Sequence, residues 1–160
     1  MLKQRAVTIV GGGIAGLALA RALAERGAEV TVLEQAPEIS EVGAGLQITP
    51  NGARVLAALG LGNVAAATGL ASQAVELRNG ETGQRVLRMA LDGAGDFLFF
   101  HRADLIEMLL LGAAQAGVTI RTNAQVGKVT LGDHPPRVTM ADGRTFETGL
   151  LIGADGLHSK

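Results

Sequence analysis

The chain has 160 residues, with 14 basic and 15 acidic side chains, a formal net charge of −1 and no cysteine. That length suits one ordinary domain, able to bury about two-thirds of its extended-chain surface. A near-neutral chain without a basic tract excludes a nucleic-acid footprint, and the lack of cysteine excludes disulfides and thiolate metal sites.

The 23 glycines are about twice the average usage of roughly 7% and follow no collagen-like period. They read as tight turns and close backbone approaches. The cysteine-free composition fits a reducing compartment, so a cytoplasmic location is expected. No apolar run reaches the ~20 residues that span a bilayer. Lys3 and Arg5 precede an apolar run over residues 6–20, ending in Ala18-Leu19-Ala20, which has the outline of a secretory leader. Three consecutive glycines inside that run argue against it.

Ala6–Val10 (AVTIV) is apolar and β-branched and predicts a buried strand. GGGIAG follows, with Gly11, Gly13 and Gly16 in G-x-G-x-x-G spacing, and residues 14–26 carry a helical apolar stripe stopped by Gly27. Residues 29–33 (EVTVL) predict a second strand, with Glu34 at its end. Each glycine has a physical role. Gly11 permits the sharp turn, Gly13 admits a pyrophosphate to the backbone, and Gly16 lets helix and strand pack closely. The helix N-terminus points free N–H groups at the phosphates. Glu34 lies 23 residues after Gly11, near the ~20 expected for an acid that accepts from ribose hydroxyls. This fingerprint does not separate NAD from FAD, but an acid at Glu34 disfavours a 2′-phosphate and hence NADP at this site.

Residues 37–50 form a long glycine-bearing loop (EVGAGLQITP) containing Gly43 and Gly45, either a functional loop or a surface Ω-loop. Asn51 is placed to cap a helix over 52–59. Residues 73–78 and 84–89 alternate around Asn79-Gly80 and predict a hairpin. Phe97, Phe99 and Phe100 favour core over a pocket wall. His101-Arg102-Ala103-Asp104-Leu105 opens a helix over 103–115. Arg102 at its mouth suits either phosphate oxygens or an ion pair with Asp104 or Glu107, and spacing alone prefers the pair.

Residues 117–121 predict a third strand, parallel to the others because a helix precedes it. Short strands over 126–131, 137–140 and 144–147 predict an antiparallel meander, and Leu150-Leu151-Ile152 a further buried strand before GADG. Asp155 there either accepts from a hydroxyl or caps the next turn. His101, His134 and His158 lack ligand spacing, so no metal is assigned, and Ser159 has no evident base.

Four segments in order, GGGIAG with Glu34, EVGAGLQITPN, HRADL and GADGLHS, resemble the FAD-dependent monooxygenases of the aromatic-hydroxylase type, such as salicylate and hydroxybenzoate hydroxylases. The resemblance covers the whole chain. It implies an α/β, Rossmann-like FAD-binding fold with a parallel sheet, an antiparallel meander and a partial second sheet, incomplete relative to the family. Residues 1–72 and 101–160 would form the FAD-binding portion, and 73–100 the first strands of a substrate-binding sheet. The implied cofactor contacts are Gly11, Gly13, Ile14, Ala15 and Gly16 at the pyrophosphate and Glu34 with Gln35 at the ribose. Gly45, Leu46 and Gln47 would lie beside the flavin. Arg102 would meet the phosphate and ribityl region, which reverses the ion-pair preference, and Val126 would face the adenine. Gly153, Asp155, Gly156 and Ser159 form the family's aspartate-glycine segment.

Its implied activity is hydroxylation of an aromatic-type substrate with NAD(P)H and dioxygen through a flavin hydroperoxide. No catalytic residue is assigned. The family pattern continues beyond Lys160, so the expectation is an N-terminal part of a longer enzyme, or a truncated gene product, with weak or no FAD binding by the 160 residues alone. Two other readings stay open: an NAD-dependent dehydrogenase, which leaves the loop, HRADL and GADG unexplained, and a non-catalytic dinucleotide-binding module.

Overall fold

The computed structural model describes residues 3–40, 43–91, 95–132 and 134–159. Glu41 and Val42 of the glycine-bearing loop, the segment after the hairpin at 92–94, Asp133 and Lys160 lie outside the described residues. The chain divides into two compact units, Met1–Glu41 with Ile106–Lys160, and Val42–Leu105.

The first unit is built on a parallel sheet. Strand β1 (Ala6–Val10) leads through helix α1 (Ile14–Ala24) to β2 (Glu29–Leu33). Both strands have the bounds that their β-branched runs predict. Gly27, at φ +85°, stops α1, and the Ala28 N–H donates back to Leu23 O, so the left-handed residue satisfies helix-end carbonyls.

In the second unit, β3 (Gly45–Ile48) pairs antiparallel with β7 (Leu98–His101), which also pairs with β4 (Leu70–Ala71). The supposed loop of residues 37–50 therefore contains a strand, created by partners some fifty positions away. Helix α2 (Pro50–Ala58) begins before the position that Asn51 suggested. Thr49 takes the cap position in extended backbone and Pro50 the first turn, where its fixed φ fits and its missing N–H costs nothing. Helix α3 (Gly62–Thr68), short and alanine-rich, has no sequence signal of its own. Strand β7 alternates. Phe100 is buried at 3% exposure and Phe97 half-buried, but Phe99 is 42% exposed on the face opposite Phe100, so the expected phenylalanine core holds for Phe100, holds in part for Phe97 and fails for Phe99.

The predicted hairpin is present as β5 (Ala74–Arg78) and β6 (Arg85–Ala90). Asn79 shapes its turn, its Oδ1 accepting from the N–H groups of Glu81 and Thr82. Glu76 accepts from Arg78 at 2.7 Å, with Arg85 and Arg88 at 3.6 and 3.8 Å. The Arg78 hydrogen bond, ahead of the other arginines, holds the Glu76 carboxyl below its ordinary value. The hairpin contact is therefore complete at neutral pH and weakens as pH falls through that depressed value. In Arg78→Ala, the Glu76 pKa is expected to rise toward that of a free glutamate, read by NMR titration.

Helix α4 (Arg102–Gln115) starts in the second unit and continues into the first. Leu105, Ile106, Met108, Leu109 and Ala113 are buried along it. It leads to β8 (Thr119–Arg121). The meander follows as β9 (Val126–Thr130), β10 (Arg137–Met140) and β11 (Thr145–Glu147), in spatial order β11-β10-β9, before β12 (Leu150–Gly153).

The parallel sheet has the order β12-β1-β2-β8. Thr8 and Thr148, both buried, share a 3.0 Å hydroxyl hydrogen bond. On the sheet, Ile9 is fully buried and pairs with Ile152 on one side and Val32 on the other. Ile9→Ala is expected to cost about 2–5 kcal/mol, seen as a lower urea midpoint at unchanged slope. Leu33, Ala124, Val138 and Met140 form a core that Val126, Phe146 and Leu151 extend, and this core docks the meander against the sheet.

Candidate functional site

All four parallel strands end at one edge of the sheet, at Val10, Leu33, Arg121 and Gly153. The chain leaves β1 for β2 on one side, while β12 lies on the other. Strand order reverses at β1, and open α/β sheets bind ligands in the crevice outside such a point.

The glycines here do different things. Gly11 turns out of β1 at φ +107°, and a Cβ there would sit 2.3 Å from Ala154 O. The loop after β12 thus lies directly on the turn, held by the Ala154 N–H donating to Val10 O at 2.7 Å. A Cβ on Gly16 would sit 2.0 Å from Gly11 O, so α1 also presses on the turn. Gly13 differs. Its φ of −77° suits any residue, and a Cβ there would meet nothing within 4 Å. Among the described residues no atom requires glycine at 13, and the position is open. The first-turn N–H groups of Ile14, Ala15 and Gly16 have no carbonyl one turn earlier in the helix, and α1's positive end lies there.

Glu34 closes β2 beside this turn. Its Oε2 accepts from the Gly12 N–H at 2.7 Å and its Oε1 from the Ala36 N–H at 2.9 Å. A carboxylate offers about four lone-pair positions, so two remain for hydroxyl donors. Gly12 is a site residue that the motif spacing passes over. A Cβ on it would stand 2.8 Å from Ile39 Cδ1 and 3.2 Å from Glu34 Oε2. The signal was a glycine at the x position between Gly11 and Gly13, one more than G-x-G-x-x-G needs.

A cleft of about 560 Å³ opens beside these groups, a size suited to a small ligand. Gly11, Glu34, Gln35, Val126, Gly153, Asp155 and Ser159 all line it, so residues from four separate parts of the first unit converge. Leu33, Leu131 and Leu151 supply apolar wall. Asp155 precedes a short 3₁₀ turn, Gly156–His158, and makes no side-chain capping hydrogen bond to it. Of the two roles open to Asp155, capping therefore has no bond behind it. Gly156 lies in that turn at φ +76°.

Gly45, Leu46, Gln47 and Arg102 belong to the second unit and come together within it. Gly45 pairs with His101, Leu46 with Phe100 and Gln47 with Phe99. The Arg102 N–H donates to Ala44 O at 2.9 Å, which sets Arg102 against the start of β3. Among the described residues no helix is long and apolar enough to cross a membrane.

A family model described as the FAD binding domain matches residues 4–160. The 3-amino-4-hydroxybenzoate 2-monooxygenase of Streptomyces cremeus is 37% identical over 96% of this chain and 40% of its own length. The 3-hydroxybenzoate 6-hydroxylase 1 of Aquipseudomonas alcaligenes is also 37% identical, over 96% of this chain and 41% of its own. Among solved structures, a variant of 2-methyl-3-hydroxypyridine-5-carboxylic acid oxygenase superimposes with a TM-score of 0.86 at 30% identity, covering 99% of this chain and 41% of that one. The p-nitrophenol 4-monooxygenase of Pseudomonas putida shares the fold, with a TM-score of 0.88 at 22% identity, over 100% of this chain and 43% of its own. The chain spans about two-fifths of the length of the curated relatives it matches.

Proposed function

Because the chain belongs to the FAD binding domain family, we propose that it is the FAD-holding N-terminal part of a monooxygenase that hydroxylates an aromatic-type substrate with NAD(P)H and dioxygen. The observation that carries the cofactor assignment is the cleft of about 560 Å³ that Gly11, Glu34 and Gln35 line, next to the open Cβ position of Gly13 at the start of α1 and the half-used carboxylate of Glu34. That arrangement fits a diphosphate bearing a ribose. The activity rests on relatives that are hydroxylases of substituted benzoates.

In this reading the N–H groups at Ile14, Ala15 and Gly16 hold the diphosphate and Glu34, beside Gln35, grips the ribose. Val126 faces the adenine. Gly45, Leu46, Gln47 and Arg102 serve the flavin half, and Gly153, Asp155 and Gly156 close the cleft. The chemistry that FAD supplies when bound is hydride acceptance and oxygen activation; these residues bind, orient and exclude water. Residues 1–72 with 101–160 form the FAD-binding portion. Residues 73–100 supply the first strands of a substrate-binding sheet. Supporting that division, the cross-strand pairs Val75–Met89 and Leu77–Leu87 leave an apolar face 42–58% exposed, as on strands made to join a larger sheet.

Titration of the chain with FAD and with ADP, followed by NMR and flavin fluorescence, tests the cofactor assignment. The expected result is weak, saturable binding of both at one site, each displacing the other. Absence of saturable FAD binding by a longer protein containing this chain would end this reading. For the activity, a FAD-loaded protein containing this chain should consume NAD(P)H and dioxygen and form hydroxylated product from a hydroxybenzoate or related phenol. NAD(P)H oxidation without hydroxylated product from any such compound would count against it.

A further inference from the structure

Resting on the nucleotide reading above, we infer that Glu34 also acts as a positioning residue, which latches the glycine turn through Gly12 and holds it in its diphosphate-accepting shape. Three consecutive glycines, Gly11 to Gly13, lose more conformational freedom on ordering than any other tripeptide. A turn made of them needs ties from outside. Backbone ties act at its two ends, where the Gly11 N–H donates to Leu33 O at 2.8 Å and Gly13 O accepts from the Leu17 N–H at 3.0 Å. At the middle residue the tie is a side chain, the 2.7 Å bond from the Gly12 N–H to Glu34 Oε2.

The latch is itself braced. The Ala36 N–H holds the other carboxylate oxygen at 2.9 Å, and the Glu34 backbone is bonded on both sides, donating to Arg121 O and accepting from the Ala124 N–H. Gly12 is buried, and a Cβ there would meet Ile39 Cδ1 at 2.8 Å and Glu34 Cβ at 3.2 Å. A side chain at 12 would push the carboxylate away. The middle glycine thus admits the acid, and the acid fixes the middle glycine. Charge makes the arrangement informative. A carboxylate so near a diphosphate site repels the ligand, so its place there calls for a compensating contact, and a charge-assisted bond to a buried N–H is a strong one.

A pair of nucleotides separates latching from ribose binding. ADP and 2′,3′-dideoxy-ADP, which lacks both ribose hydroxyls, are titrated by NMR into the 160-residue chain and into Glu34→Ala. If Glu34 acts through ribose alone, its loss leaves the dideoxy probe unaffected. The latch predicts that Glu34→Ala weakens dideoxy-ADP by about tenfold or more, as for loss of a bond to a charged group. A change of under about twofold with dideoxy-ADP, alongside a clear loss with ADP, overturns it.

Amide hydrogen exchange at Gly12 without nucleotide is the second readout. Slow exchange in the wild-type chain that accelerates at least tenfold in the variant supports the latch, and exchange at open-loop rates in the wild type overturns it. Should Glu34→Ala not fold, Glu34→Gln serves in both measurements, since it removes the charge and replaces one of the two accepting oxygens by an NH2 group that cannot accept from a backbone N–H. If the wild type binds neither nucleotide, Gly12 exchange still decides the latch, and the cofactor reading is decided separately by FAD binding to a longer protein containing this chain.

Discussion

Gly13→Val is expected to lower FAD and ADP affinity by about a hundredfold or more, equivalent to roughly 2.7 kcal/mol, while the fold survives. Gly13 is already in extended backbone, at φ −77° and ψ −174°, which a β-branched residue adopts without strain. Among the described residues no atom lies within 4 Å of the Cβ position. The substitution therefore collides only with what occupies the space in front of the helix. Valine is a poor helix cap, but Gly13 contributes no side-chain cap bond, so the loss of stability should stay below about 1 kcal/mol. Gly13→Ala should give a smaller binding loss in the same direction. The measurements are nucleotide titration beside thermal unfolding by circular dichroism. Normal affinity in a folded Gly13→Val chain would mean that the diphosphate lies elsewhere.

Gly16→Ala should do the reverse and strike the fold. The added carbon would lie 2.0 Å from Gly11 O, a backbone atom with no rotamer to change. Gly11 cannot yield, because a Cβ position there is already 2.3 Å from Ala154 O and its φ is +107°. Relief requires α1 to lift from β1, which strips buried Leu17 and Ala20 of their packing. Overpacking costs about 1–3 kcal/mol and more where backbone is the obstacle. At the upper end of that range the melting temperature should fall by about 6–12 °C. An unchanged melting temperature would refute this account of the turn. The pair also separates two kinds of glycine that the motif writes alike. At 11 and 16 the small residue is demanded by the protein, and at 13, in the proposed reading, by the ligand.

Much of this was legible in the residues. The bounds of β1, β2 and β10 followed from short β-branched runs between turn residues, because such signals are local. The order of strand, glycines, helix, strand and acid placed the nucleotide turn for the same reason. Strand β3 was not legible, since GLQI is a strand only because LFFH, fifty residues on, supplies its hydrogen-bond partners. The exposure of Phe99 beside buried Phe100 depends on which face of β7 is covered, and composition carries no such information. Asn51 looked like a cap by type, but Pro50 before it moved the helix start upstream.

By itself, then, the sequence determined the parallel α/β core, the glycine turn and the acid that follows it, since these depend on periodicity and conformational preference over a few residues. Tertiary structure alone decided that Gly12 meets Glu34, that Val126 and Asp155 face one cleft, and that β12 lies beside β1. Those facts depend on long-range pairing, in which partners are chosen by the packing of the whole sheet and leave no mark at either position along the chain.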